Sequence, residues 1–73
     1  MGANPPSVPD QQAVDKAYAY FGLSQSCSNK DINRRYNKLF FLYHPENEGG
    51  SIDKINELGY HLAILKAVRH DLM

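Results

Sequence analysis

Apolar side chains recur every three or four residues in three stretches of the chain, a spacing that predicts three α-helices. The first stretch is bounded by Asp10, a residue type that caps helix starts, and by Gly22, one that ends helices. These boundaries predict a first helix over residues 11–21. Its apolar positions share one face and are Val14, Ala17, Tyr18 and Phe21.

A second helix is predicted to begin after Ser28, because Ser28 and Asp31 have the spacing of a capping box. It is predicted to end at Pro45, since proline disfavours helical geometry in the residue before it and has no N–H group to donate. The apolar stripe of this helix advances by four, three and four residues and consists of Ile32, Tyr36, Leu39 and Tyr43.

The third helix is predicted to begin after Ser51 and carries the longest stripe, which consists of Ile52, Ile55, Leu58, Leu62, Leu65 and Val68. Gly59 interrupts it, which indicates either close approach of another backbone or a weaker helix at that point. Only residues 44–50 separate the second and third helices, so the two are predicted to form an antiparallel hairpin.

The predicted fold class is therefore all-α: a short first helix followed by a hairpin of two longer helices. Residues 1–9 contain three prolines and a glycine, which predicts a flexible leader before a domain that spans 10–73. Most of the stability is assigned to the hairpin, with Leu39→Ala costing about 2 to 5 kcal/mol. The predicted core is Tyr18, Phe21, Leu23, Ile32, Tyr36, Leu39, Tyr43, Ile55, Leu58 and Leu62.

Composition narrows the function classes. The 73 residues suffice for one domain, and eight basic against eight acidic residues give a formal net charge of +0. This balance argues against attraction of the whole chain to nucleic acid or to an anionic membrane. Apolar runs such as "LFFL" are far too short to insert into a membrane. The one cysteine, Cys27, has no partner for an internal disulfide, which favours a reducing compartment such as the cytoplasm, the nucleus or the mitochondrial matrix side.

Three segments resemble a J domain, the module of the DnaJ/Hsp40 family. "YAYFGLS" at 18–24 is similar to the end of that family's first helix. "DINRRYNKLFFLYHPE" at 31–46 is similar to its second helix and tip, and "IDKINEL" at 52–58 to its third helix. The resemblance implies a J-domain fold and a partner, an Hsp70 chaperone whose ATPase the module stimulates. It implies no chemistry, cofactor or metal in the module itself.

Two groups of residues are implied by this resemblance to contact Hsp70. The first is the tip, His44, Pro45 and Glu46, where the family has an aspartate in place of Glu46. A carboxylate suits an Hsp70 arginine because charge-assisted bonds are strong. Pro45 is expected to hold the turn and His44 to bond a carbonyl at the end of the helix. The second group is Arg34 and Lys38, on the side of the second helix opposite its apolar stripe.

Other interpretations remain open. Helical spacing places Phe41 nearly opposite the core and Leu42 on one flank, which makes them a candidate surface for a second protein partner. The main alternative function is a degenerate J-like adaptor that no longer stimulates Hsp70. A helix-turn-helix nucleic-acid binder using the basic residues of the second helix is less favoured, because the net charge is zero.

An enzyme is not expected, because the sequence spacing gives the histidines no common site. His61 and His70 are nine residues apart and fall on opposite sides of the third helix, which removes the basis for a metal site. Glu57 and His61, one helical turn apart, are interpreted as a surface pair.

Overall fold

The computed structural model describes residues 10–69, 71 and 72. It contains α1 (Gln11–Phe21), α2 (Asn29–Tyr43) and α3 (Ile52–Val68), and no strand among the described residues. The all-α prediction is confirmed, and the observed helix boundaries agree with the predicted ones. The predicted flexible leader, residues 1–9, lies outside the described residues.

Each helix begins at the predicted cap. The Asp10 carboxylate accepts the N–H of the residue three positions on, at 2.8 Å, and the Ser51 hydroxyl does the same at 3.1 Å. Ser28 and Asp31 exchange both bonds of a capping box, at 3.1 and 3.2 Å. Gly22 ends α1 in the left-handed conformation with φ of 71°, which glycine adopts without a steric penalty. These bonds satisfy N–H groups that the first turn of a helix leaves free.

The core lies between α1 and α3, which pack against each other. Helix α2 contributes one fully buried side chain to this core, Ile32. Of the predicted core residues, five are buried and five are half-buried. The contact between α1 and α3 is at least as extensive as that between α2 and α3. That most of the stability lies in the hairpin stays a prediction. The buried set is Val14, Ala17, Tyr18, Phe21, Ile32, Leu58, Leu62, Leu65 and Leu72.

Most of the half-buried residues of the predicted core lie on α2 or α3, and one lies in the loop before α2. Tyr36 and Leu39 on α2, together with Leu23, pack against the edge of the core. Tyr43 and Ile55 are also only half-buried. The apolar stripe of α2 therefore predicted correctly which face of this helix points inward. It did not predict how small a part of that face the other helices cover.

Contacts at both ends show that α2 and α3 run in opposite directions. At one end, the Lys54 ammonium lies 5.4 Å from the centre of the Tyr43 ring. At the other end, Arg69 donates to the Asn29 side-chain oxygen at 2.6 Å. The start of α3 thus lies beside the end of α2, and the end of α3 lies beside the start of α2.

Arg69, directly after α3, ties this end of the domain together. Its guanidinium donates to the Tyr18 hydroxyl at 2.8 Å and to the backbone carbonyls of Cys27 and Gln25 at 2.6 and 3.1 Å, besides Asn29. The guanidinium also lies 5.5 Å from the centre of the Tyr18 ring. One side chain therefore joins α3 to α1, to the α1–α2 loop and to the start of α2, a role that the sequence pattern did not predict.

The Arg69 contacts predict a stability cost when the guanidinium is removed. Arg69→Met keeps most of the aliphatic stem but loses four hydrogen bonds, so the free energy of unfolding should fall by about 2 kcal/mol in urea denaturation. Lys66→Met, which removes an exposed cation one turn earlier, serves as the control and should change it by less than about 0.5 kcal/mol. Equal effects of the two variants would contradict the role of Arg69.

Core burial predicts an order of stability for three variants. Leu58 is 0% exposed at the centre of the core, so Leu58→Ala should lower the free energy of unfolding by about 2 to 5 kcal/mol. Leu39→Ala should cost less than the sequence indicated, about 1 to 2 kcal/mol, because Leu39 is only half-buried. His44→Gln should cost less than about 1 kcal/mol. Thermal and urea unfolding of the three variants measure this order, and a His44 variant as unstable as the Leu58 variant would contradict it.

Candidate protein-binding site

The loop between α2 and α3 reverses the chain through consecutive tight turns. His44 follows α2, and its carbonyl accepts the Asn47 N–H at 2.9 Å. The Gly50 N–H then donates to the Asn47 carbonyl at 3.0 Å, and the Ser51 N–H to the Tyr43 carbonyl at 3.0 Å. The last of these bonds joins the two helix ends directly. We call residues 44–50 the tip.

A backbone carbonyl at the end of α2 accepts a hydrogen bond from a side chain to which the sequence pattern assigned no role. His44 was expected to donate to a carbonyl near the end of α2, but its Nδ1 atom instead accepts the Glu46 N–H at 3.2 Å. The side-chain amide of Asn47 donates to the Phe41 carbonyl in its place. Because Nδ1 accepts, a neutral His44 ring carries its proton on Nε2. His44 therefore fixes the backbone at Glu46 and Asn47 closes the helix.

The two glycines of the tip are required for different steric reasons. Gly49 has φ of 82°, a conformation that side chains disfavour. A Cβ atom added at Gly50 would overlap the His44 carbonyl oxygen and lie 2.7 Å from that of Tyr43. Of the two explanations that the sequence left open for Gly59, close approach of another backbone is wrong, because a Cβ there would meet no atom within 4 Å outside the backbone of its own helix. The close approach occurs at Gly50.

This contrast predicts opposite effects for two alanine substitutions. Gly59→Ala should raise the free energy of unfolding by about 0.5 to 1 kcal/mol, because the helical site is open and alanine restricts the unfolded chain. Gly50→Ala should lower it by about 1 to 3 kcal/mol through overlap with the tip backbone. Chemical denaturation of both variants measures the difference, and stabilisation by Gly50→Ala would contradict the close approach.

Lys54, on the first turn of α3, braces the tip from the other side. Its ammonium donates to the Gly49 carbonyl at 2.9 Å while it faces the Tyr43 ring. The tip thus has contacts to both helices that it joins. Glu46 is exposed on this braced turn, so its carboxylate extends into solvent from a fixed backbone.

The residues predicted to contact Hsp70 occupy two neighbouring surfaces. Pro45 and Glu46 are exposed on the tip, whereas His44 is half-buried behind them. Arg34 and Lys38 are exposed one helical turn apart on α2. At a rise of about 1.5 Å per residue, Lys38 and Arg34 lie roughly 9 and 15 Å along the helix axis from the start of the tip. The acidic and the basic groups are therefore adjacent but separate.

The basic surface borders a shallow cleft of about 260 Å³ beside the α1–α2 loop. Arg35, which sequence reasoning did not assign to the Hsp70 contact, lines it together with Arg34 and Lys38. Asp31 and Leu23 complete the lining. Three cations and one carboxylate leave this cleft locally positive although the whole chain carries no net charge.

The apolar surface proposed for a second partner is exposed as predicted. Phe41 and Leu42 are 70% and 46% exposed and adjacent in sequence, so together they form a small apolar surface on α2. Phe40 is also 40% exposed, but its ring contacts Tyr36 and His44 on the other flank, with ring centres 5.9 and 6.3 Å away. These contacts partly cover the Phe40 ring, which is less exposed than that of Phe41.

A second polar cluster, between α1 and α3, was missed by sequence reasoning. The His61 ring stacks on the Tyr20 ring with centres 4.2 Å apart, so His61 is not half of an exposed pair with Glu57 as predicted. The His61 Nδ1 and the Tyr20 hydroxyl are buried without a hydrogen-bond partner among the described residues. Burial raises the pKa of the Tyr20 phenol, and the nearby Tyr43 and Glu57 raise it further. Tyr60 covers one side of this cluster.

The part of the chain that the structure describes contains no group of three His, Cys, Asp or Glu side chains that could hold a metal ion. Of the histidines considered at the sequence level, His44 is on the tip, His61 is in α3, and His70 lies outside the described residues. None of the described helices has the length and apolar character needed to cross a membrane. No protein-family model, curated protein or solved structure matches the chain.

Proposed function

We propose that this chain is a J-domain-like co-chaperone module that binds an Hsp70 chaperone and weakly stimulates its ATPase. One observation carries the proposal: a braced turn between two antiparallel helices presents the exposed carboxylate of Glu46 beside the exposed cations Arg34 and Lys38. In this function the module performs no chemistry and acts by binding.

The tip suits recognition of an arginine on the partner. A carboxylate forms short, charge-assisted bonds to guanidinium, and each such bond contributes on the order of 1.5 to 3 kcal/mol. The bond between His44 Nδ1 and the Glu46 N–H reduces the backbone freedom that binding would otherwise have to restrict. Glutamate places its charge one methylene further from this backbone than aspartate does. Its carboxylate is therefore less well positioned for the partner's arginine, and we expect weak stimulation.

The basic part of the proposed site, on α2, requires an acidic surface on the partner. Arg34 and Lys38 are exposed and therefore interact with it through solvent-screened charge. Such contacts accelerate association and select the orientation of the partner more than they add affinity. The separation between Lys38 and the tip, roughly 9 Å along the helix, allows one partner to span both parts.

The role of Glu46 predicts opposite effects of two substitutions on Hsp70. Glu46→Asp should raise ATPase stimulation, because it shortens the reach of the carboxylate, and Glu46→Gln should abolish it, because the charge is lost. Glu48→Gln removes an exposed carboxylate two residues away and should leave stimulation unchanged. A single-turnover ATPase titration against the Hsp70 of the same compartment measures all four proteins, with folding checked by circular dichroism.

Stimulation should also fall in high salt, because the contribution of Arg34 and Lys38 is screened. Identical, flat titrations for folded wild type and all variants would contradict the co-chaperone function. Equal losses for Glu46→Gln and Glu48→Gln would instead show that general acidity, rather than a specific group on the tip, supports stimulation.

The second candidate function is a J-like protein adaptor without Hsp70 stimulation, and the exposure of Phe41 and Leu42 favours it. An adaptor needs an apolar contact surface, and these side chains supply one on the outside of α2. Flat ATPase titrations together with retained folding are the result that this function predicts. Nucleic-acid binding through α2 has less support, because the chain carries no net charge.

A further inference from the structure

The charges of this neutral chain are separated along its length. Helix α2 (Asn29–Tyr43) carries four basic side chains and one acidic one, which leaves +3. The following segment, residues 44–57, carries four acidic side chains and one basic one, which leaves −3. Of this segment the tip, residues 44–50, carries Glu46 and Glu48 and no lysine or arginine, so its charge is opposite to that of the helix that leads into it.

An exposed aromatic residue lies between these two charged regions. Phe41 is 70% exposed near the end of α2, and Arg34 precedes it by two helical turns on nearly the same side. The distance from Phe41 back to Arg34 along the helix is about 10 Å. The tip begins about 4 Å beyond Phe41 in the other direction and extends further, so charges of opposite sign flank the apolar residue.

We propose that the outer face of α2, defined by Arg34, Lys38, Phe41 and Leu42, binds a second copy of this chain in an antiparallel, twofold-symmetric pair. In such a pair Phe41 contacts its own symmetry mate at the centre. The two α2 helices of the pair run in opposite directions. Arg34 of each copy therefore lies at the same height along the helix axis as the tip of the other copy, and it can form an ion pair with Glu48 of that copy. A twofold interface requires a self-complementary surface, and the basic–apolar–acidic order along the chain provides one.

Charge complementarity favours a second copy over an apolar partner of another kind. Burial of Arg34 against a neutral apolar surface would leave its cation unpaired, which is unfavourable. A second copy supplies a carboxylate opposite Arg34 and a phenyl ring opposite Phe41. Zero net charge also means that two copies do not repel each other at long range.

The size of the surface predicts a weak pair. A phenyl side chain that is 70% exposed can bury about 100 to 170 Å² per copy. With its flanking residues, the interface falls at or below the approximately 1,200 Å² at the low end of stable complexes. The pair should therefore exchange rapidly and form at high protein concentration. This inference does not depend on the proposed function, although pairing would cover Arg34 and Lys38 and compete with any partner that uses them.

Sedimentation equilibrium over a range of protein concentrations tests the pair. The wild-type chain should shift toward twice the monomer mass as concentration rises, and Phe41→Glu should weaken this association at least tenfold. Tyr60→Glu is the matched control, since Tyr60 is an aromatic residue on α3 that is 63% exposed. A wild-type chain that stays monomeric at millimolar concentration, or equal weakening by both variants, would overturn the inference.

Charge exchange tests the orientation of the pair. Arg34→Glu and Glu48→Arg should each associate at least threefold more weakly alone, because like charges then face each other across the interface. A mixture of these two variants should form a heterodimer, because both pairs of facing charges are opposite again. A mixture of Lys66→Glu with Glu48→Arg has the same net charges but places the new carboxylate elsewhere, so it should associate less. Equal association in the two mixtures would contradict the antiparallel arrangement.

Discussion

The packing of α1 against α3 is the contact on which the rest of the structure depends. Phe21 from α1 and Leu58 and Leu65 from α3 are almost completely enclosed there, whereas α2 supplies only Ile32 to the same core. A chain this short buries a limited fraction of its surface, so few side chains carry most of the hydrophobic stabilisation. Most of the α2 residues are consequently exposed to solvent.

The tip is held by its own hydrogen bonds rather than by the core. Asn47 closes the end of α2, His44 holds the Glu46 backbone, and Lys54 attaches the turn to α3. Bonds of this local kind fix a backbone without burying the side chains that a partner would contact. Under the proposed function, stability and recognition are therefore assigned to different residues, and a substitution at Glu46 should alter binding without unfolding the domain.

The outer face of α2 combines charged and apolar side chains. Arg34 and Lys38 provide charge, and Phe41 provides apolar area on the same side of the helix. Charged groups guide association at a distance, while apolar area contributes affinity once water is removed. A weak pair of identical chains and a complex with a larger chaperone would therefore compete for one surface, with protein concentration setting the balance.

The sequence by itself determined the helices, because their boundaries depend on short-range chemistry. Capping by Asp10, Ser28 and Ser51 and termination at Gly22 and Pro45 involve atoms only a few residues apart. The same periodicity placed Phe41, Arg34 and Lys38 away from the core and Leu42 on one flank, and all four are exposed. The resemblance to a J-domain tip singled out Glu46, which is also exposed.

Only the tertiary structure decided which inward faces are fully covered and which polar groups meet. Arg69 reaches Tyr18, 51 residues earlier, and His61 stacks on Tyr20, and neither pairing leaves a periodic signal in the sequence. Gly50, not Gly59, has a backbone neighbour, because the direction of the tip depends on how α3 returns along α2. Periodicity shows which side of a helix is apolar, but the relative positions of three helices determine how much of that side is buried.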